Sequence, residues 1–357
     1  MGLYTGRGIC MRIESGGAVS GVGRYVIQRV LLTIPMVFIL LTVVFLLLRV
    51  MPGNPVLSML GGKNVSAEVI AEYEQRYGFD QPMYVQYAQY LGGVIRGDFG
   101  RSYRTGKPVI QELFLRFPAT IELGLFGILV AVLFGFTTGL VAATRADRPT
   151  DHAVRFFHIT SFAMPLFWLG LMLQMIFAVK LGWLPVASRL GGRMAFTFKS
   201  ITGFYVLDAV IRWDGKALAD VARHLILPSI TLGIALTGLQ GRITRASMLE
   251  VLGMDYITTA RAKGLRERIV VLRHALRNAL IPIITVFGLQ FAVLMGGAVL
   301  TETVFSWPGI ASYLVRSIEA RDYYAIQGSV VFIALFISTI NLIVDIFYST
   351  IDPRVRY

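Results

Sequence analysis

Six long apolar runs alternate with polar segments along this chain, at residues 26–50, 118–143, 153–179, 225–243, 280–304 and 326–346. A hydrocarbon core about 30 Å thick needs roughly 20 apolar residues wound as helix. Each run is therefore predicted to cross a bilayer, giving an all-α membrane protein with six transmembrane helices and both termini on one side. The first run is too long for a signal peptide and lacks a small-residue cleavage site, so it reads as a retained anchor. Residues 1–25, Gly-rich and polar, read as a mobile tail. After the first span, Pro52 and Pro55 forbid helix continuation, and a large outer insertion, 51–117, follows. Within it Ser66, with Glu68 close behind, caps a predicted helix to Tyr77; a second helix is predicted over 84–95 and a loop over 97–106. A second outer region, 181–223, places Trp183 at a bilayer edge.

Small residues one turn apart, Gly135/Gly139, Ser229/Gly233 and Ala292/Gly296, predict close helix packing. Pro165 and Pro282 are expected to kink or start their helices.

Composition agrees with a membrane solvent. Of 357 residues, 55% are hydrophobic and 15% charged, and the mean hydropathy of +0.65 is far above that of a soluble globule. The net charge of +13 raises nucleic acid as a partner. The basic residues flank spans instead of forming a domain, so lipid headgroups and orientation account for them better. Arg24, Arg29, Arg145, Arg148, Arg155, Arg242, Arg245, Arg261, Lys263, Arg266, Arg268, Arg273, Arg277, Arg354 and Arg356 mark one face as cytoplasmic. Arg316 and Arg321 are balanced by Glu319 and Asp322 in the short loop opposite. A single cysteine, Cys10, excludes an internal disulfide. The scattered histidines make no metal-ligand pair, and no phosphate-binding Gly-x-x-x-x-Gly-Lys-Ser/Thr or Gly-x-Ser-x-Gly elbow occurs. No cofactor, metal or nucleic acid is expected, and the chain should not hydrolyse ATP itself.

One polar segment stands out: Asp255-Tyr256-Ile257-Thr258-Thr259-Ala260-Arg261-Ala262-Lys263-Gly264, between two spans. It predicts a short helix with Asp255 as its N-cap and Gly264 as its left-handed stop. Its small residues suit docking. Beyond it Leu265, Ile269, Leu272, Leu276 and Ala279 recur at helical spacing, opposite Arg266, Arg273 and Arg277. A basic helix lying on anionic lipid explains the second stretch but not the capped helix before it. Among charged and polar groups inside the spans, Gln290, Glu302 and Asp345 are candidates for the pathway or its gating. The competing reading is structural: Glu122, Glu302 and Asp345 lie near span ends and pair there, and Gln174, Gln240 and Gln290 bond between helices.

The segment, continuing through Arg273-His274-Ala275-Leu276-Arg277-Asn278-Ala279-Leu280-Ile281-Pro282, resembles the cytoplasmic coupling loop of ABC importer permeases of the dipeptide/oligopeptide/nickel branch. Further matches run in order along nearly all of the chain after Gly23. They include residues 49–55, Gly78-Phe79-Asp80-Gln81-Pro82, Gly97-Asp98-Phe99-Gly100-Arg101-Ser102, residues 117–123, Thr202-Gly203-Phe204-Tyr205, 224–228, 300–309 and 345–357. The resemblance implies an inner-membrane permease subunit with a periplasmic insertion at 51–117 and a five-helix core at 118–357, with its cytoplasmic coupling loop at 249–280. It further implies a second homologous permease, two ATPase subunits, one of which would seat residues 255–264 in a groove, a periplasmic substrate-binding protein, and di- or oligopeptides, glutathione-like peptides or nickel chelates as cargo. Two departures stand out. Thr258-Thr259-Ala260 occupy the place of the family's Glu-Ala-Ala, removing an acidic contact, and Asn54 stands where the branch often has an acid. The rival class is a self-sufficient ion-coupled transporter or channel with Glu302 or Asp345 carrying protons; an intramembrane enzyme lacks a nucleophile-base pair.

Overall fold

The computed structural model describes residues 17–50, 56–57, 60 and 65–351. Their regular elements are helices, with no β-strand among the described residues. Helix α1, Gly17–Val50, begins nine residues before the predicted span. Helices α2, Ala67–Tyr77, and α3, Met83–Ile95, fall where the pattern placed them, with Ser66 at the N-cap position of α2. Asn54 and Cys10 lie outside the described residues.

Helix α4, Val109–Thr144, starts well before its apolar run and carries Pro118 inside it. Proline there removes one backbone hydrogen bond. The turns ahead of it persist because Val109 and Leu113 are fully buried against Ile310, Tyr313 and Ala325. A π-helical turn at Val132–Phe136 lies within α4.

The third predicted span is not one straight rod. Helix α5, Pro149–Ala163, and helix α6, Leu166–Lys180, meet at 105°. The bend sits at Met164, which is extended (φ −69°, ψ 130°) because a residue before proline is pushed out of the helical region. Short helices α7, Gly192–Thr197, and α8, Tyr205–Ile211, cross the next loop. Helix α9, Gly215–Leu252, follows, its N-cap Asp214 accepting bonds from the Lys216 and Ala217 amides. Its 38 residues span about 57 Å at 1.5 Å each, far more than a hydrocarbon core. Beyond α9 come α10, Asp255–Ala262, and α11, Leu276–Val304, entered through a helical turn at Glu267–Ile269 and a π-helical stretch at Val270–Ala275. Helices α12, Ile310–Glu319, and α13, Tyr323–Ile351, complete the chain.

Among the described residues four helices, α1, α4, α9 and α13, are long and apolar enough to cross a membrane, and the α5–α6 pair makes a fifth if it counts as one span. Helix α9 is the hub, packing on α4, α5, α6 and α11, while α1 leans on α13. The hub is approached closely at two of the predicted small-residue pairs. A Cβ on Gly139 would come within 2.6 Å of the Gly241 carbonyl, and one on Gly233 within 2.5 Å of Val130. In the third pair the space beside Gly296 is open, and the Ala292 side chain lies outside the described residues. Large apolar side chains such as Leu31, Phe38, Leu47, Phe134 and Phe156 point outward, a surface suited to hydrocarbon and unsuited to water.

At the α10 end, α5 is clamped to α9. Arg245 donates from Nε (2.7 Å) and Nη2 (2.6 Å) to the two carboxylate oxygens of Asp151, which is fully buried and also accepts the Asp147 amide at 3.0 Å. Removing this carboxylate would strand a half-buried arginine without its partner. Asp151→Ala should therefore lower unfolding stability of the solubilised protein by about 3 kcal/mol. Denaturant midpoints measured in mild detergent check this.

Candidate coupling site

The segment singled out in the sequence forms a compact knob on the long end of α9. Gly253 and Met254 turn the chain, and α10 starts with Met254, in extended conformation, as its N-cap. Asp255 is one residue further on, in the first turn, and makes no capping bond with its side chain. The expected Asp255 cap is thus corrected: a carboxylate inside the first turn still favours the positive helix end, but the helix is fixed mainly by burial. At the other end the expectation holds. Gly264 has φ 75°, its amide donates to the Arg261 carbonyl (2.9 Å), and the Leu265 amide donates to Ala260 (3.4 Å), a Schellman closure that the αL residue permits.

Of the ten residues, Ile257 and Ala260 point inward. They join Met248 and Val251 of α9, Ala143 of α4, and Val270, Val271, Ala275, Ala279 and Ile283 at the start of α11 in one buried cluster. Asp255, Tyr256, Thr258, Thr259, Arg261, Ala262, Lys263 and Gly264 are exposed. The outward face is short-chained apart from Lys263, from Tyr256, which accepts a bond from Asn278 Nδ2 at 2.7 Å, and from Arg261, which binds both oxygens of Glu267 at 2.7 and 3.1 Å. That last pair is solvent-exposed, which makes it a weak fastening. The apolar anchor is the strong one.

The stretch after the knob buries the expected face only in its second half, where Ala279 is buried and Leu276 packs against the cluster. In its first half Leu265, Ile269 and Leu272 are exposed, and Val270, Val271 and Ala275 are buried instead. The π-helical stretch explains this. Its wider turn puts Val270 and Ala275, five residues apart, on one face, and the α-helical spacing resumes with Ala279 and Ile283.

The polar groups inside the spans lie elsewhere, mostly at the opposite end of the bundle. Glu302 is fully buried and accepts from Thr120 Oγ1 (2.6 Å) and the Ser312 amide (2.8 Å). Gln290 donates to the Leu236 carbonyl at 3.2 Å. The Asp345 side chain lies outside the described residues. Glu122 binds Arg189 Nη2 at 2.5 Å and accepts the Val206 amide at 2.8 Å. The Arg189 guanidinium also stacks on Tyr205, 3.6 Å from its centroid, and donates to the Gly203 carbonyl. Gln174 bonds the Val186 and Val304 carbonyls. None of these groups sits near the knob.

Arg189 and Asp208 were not singled out by sequence reasoning. Asp208 is buried, and burial alone raises its carboxyl. The hydroxyls of Ser200 and Thr202 with the Thr202 and Ile201 amides outweigh that and leave it below the usual range. The Thr202-Gly203-Phe204-Tyr205 motif was visible in the sequence; its anchor, three residues after Tyr205, was the available signal.

With the knob and its anchor in view, comparison with known proteins is decisive. Residues 135–357 match the family model described as binding-protein-dependent transport system inner membrane component, and residues 22–124 match the model for the N-terminal part of such membrane components. The chain is 43% identical over 333 residues, covering 93% of it and 98% of the relative, to a di/tripeptide transport system permease protein DppB of Pseudomonas aeruginosa. It is 40% identical over 336 residues, 94% and 99% of the two chains, to the dipeptide transport system permease protein DppB of Escherichia coli K12. It is 39% identical over 333 residues, 93% and 99%, to the glutathione transport system permease protein GsiC of an Escherichia coli O1:K1 strain. The ion-coupled alternative finds no support in these likenesses. A helical membrane bundle matched along nearly its whole length by such relatives belongs to the binding-protein-dependent inner membrane component family: the chain is a permease subunit of an ABC importer.

Proposed function

We propose that this permease crosses the bacterial inner membrane six times, through α1, α4, the bent α5–α6 pair, α9, α11 and α13, with both termini in the cytoplasm and α2 and α3 in the periplasm. It forms half of the translocation path for di- or oligopeptides. A second homologous permease supplies the other half, a periplasmic substrate-binding protein delivers cargo, and two separate ATPase subunits hydrolyse ATP. The cargo class follows the names of its relatives, for di/tripeptides, dipeptides and glutathione. The orientation follows the arginines gathered at the α10 end, among them Arg145, Arg148, Arg242, Arg245 and Arg261.

One observation carries the coupling role: α10 offers an exposed, short-chained face while Ile257 and Ala260 root it in the same cluster as α9 and α11. A partner that moves this knob moves two core helices together, since a close-packed cluster transmits displacement instead of absorbing it. ATP binding draws the ATPases together and biases the bundle toward an outward-facing state; hydrolysis resets it. Such a cycle requires two arrangements of the bundle that the ATPase contacts stabilise unequally. Glu302, a candidate proton carrier, and Gln290, a candidate pathway group, fit this reading better as fastenings, because both spend their bonds on neighbouring helices.

Gly264→Pro should reduce peptide uptake by the assembled transporter at least tenfold, because proline cannot adopt φ 75° and loses the amide bond to Arg261. Membrane insertion, followed by immunoblot of the membrane fraction, should be unchanged. Thr258→Arg, on the exposed face, should leave the thermal midpoint within measurement error yet weaken retention of the ATPase in detergent about tenfold, a loss of about 1.4 kcal/mol. Uptake at the level of the unmodified protein in both variants would contradict the assignment.

A further inference from the structure

Between α1 and α13 runs a groove of about 630 Å³, walled by Leu32, Met36 and Leu41 on one side and by Leu335, Thr339 and Leu342 on the other. Both walls lie in the apolar segments Leu31–Val50 and Tyr323–Val344, which are long enough to cross a membrane, so the groove opens to the bilayer and not to water. From Leu32 to Leu41 the wall is about 14 Å long at 1.5 Å per residue, close to half of a hydrocarbon core about 30 Å thick.

The groove is closed at one end. Leu91, Val94 and Ile95 of α3 line it as well. Helix α3 rests on α1 just beyond the wall, where Tyr87 Oη and Thr42 Oγ1 lie 2.5 Å apart and the Tyr87 ring meets Phe45 at 5.1 Å between centroids. That is the end away from α10. Toward the other end one polar group interrupts the apolar lining. Asn341, about 27 Å along α13 from Tyr323, borders the groove and has no hydrogen-bond partner among the described residues. Thr339 beside it differs, because its Oγ1 donates to the Leu335 carbonyl at 2.8 Å. A side-chain amide left unbonded against hydrocarbon is costly, since no water is there to take its two N–H donors.

We propose that this groove seats one diacyl phospholipid from the leaflet on the α10 side, its tails running between α1 and α13 up to α3 and an ester carbonyl accepting from the Asn341 amide. A tail of one leaflet spans half of the hydrocarbon core, which is the length of the wall. A transmembrane helix of a partner needs the whole thickness and is stopped by α3. The ester carbonyls stand where tails meet headgroups, and they accept hydrogen bonds without needing a donor in exchange. The site requires only that α1 and α13 cross the membrane, and it is independent of α10 engaging an ATPase.

The test uses the full-length chain, stripped of lipid in mild detergent, with dioleoyl phosphatidylcholine as one probe and its diether analogue as the other. The two lipids share tails and headgroup, but the diether has no ester carbonyl. Native mass spectrometry should show one diester lipid bound saturably per chain, and the diether should half-saturate at about tenfold higher concentration. Asn341→Leu should erase that preference while leaving the lipid-free thermal midpoint unchanged or higher, since it deletes an unbonded amide. Leu335→Trp, which fills the groove, should abolish saturable binding; should that variant misfold, the two lipids compared on Asn341→Leu still decide the matter. Equal affinity for both lipids in the unmodified chain, or an undiminished preference in Asn341→Leu, would overturn the proposal. So would cross-linking of Leu335→Cys to the second permease of the assembled importer with no lipid retained, which marks the groove as a subunit interface.

Discussion

The rest of this structure depends on the apolar anchorage of one short helix. Eight residues of α10 would not hold together as an isolated helix in water, because nucleation costs more than so few bonds return. Ile257 and Ala260 change that by burying themselves between the end of α9 and the beginning of α11. The helix becomes an extension of two core rods, not a loop hanging from them. Its closure at Gly264, the turn at Gly253 and Met254, and the π-helical stretch at Val270–Ala275 are all ways of bringing the chain back onto that single cluster.

The two ends of the bundle are built from different materials. Around α10 the packing is aliphatic, with the Asp151–Arg245 clamp beside it. The far end is fastened by buried polar groups: Glu302 under Thr120 and Ser312, Glu122 with Arg189, and Trp307, whose indole Nε1 donates to the Ala119 carbonyl at 2.8 Å. Buried polar groups bonded in this way specify one arrangement closely, although Arg189 Nε is left without a partner, and breaking such a set is costly. A push at the aliphatic end is therefore met at the other end by contacts that either hold or exchange as a group. That is the physical ground for discrete states in place of a continuous range.

Much of this was legible in the sequence, and the parts that were not have identifiable reasons. Helices α2 and α3, the left-handed Gly264 and the close approaches at Gly139 and Gly233 follow from local chemistry that tertiary contacts do not override. The first half of the buried face after the knob, Leu265 to Leu272, was misassigned because a 3.6-residue period was assumed where Val270–Ala275 winds more widely, while Leu276 and Ala279 face inward as expected. Asp255 looked like a cap because its type is favoured there, yet Met254 occupies that place and the helix is held by Ile257 and Ala260. Pro165 announced a break but not its angle, and the partnership of Glu122 with Arg189 joins residues 67 apart, which no local pattern reveals.

The central claim is that the exposed side of α10 is where an ATPase subunit grips. With Cys10 replaced by serine, a cysteine introduced at Thr259 and treated with a short bifunctional thiol reagent in native membranes addresses it most directly. The account predicts a cross-link to the ATPase whose yield changes when ATP is added, and none from a cysteine placed at Ile318, at the far end of the bundle. Equal cross-linking at both places, or none at Thr259 in transport-competent membranes, would contradict it.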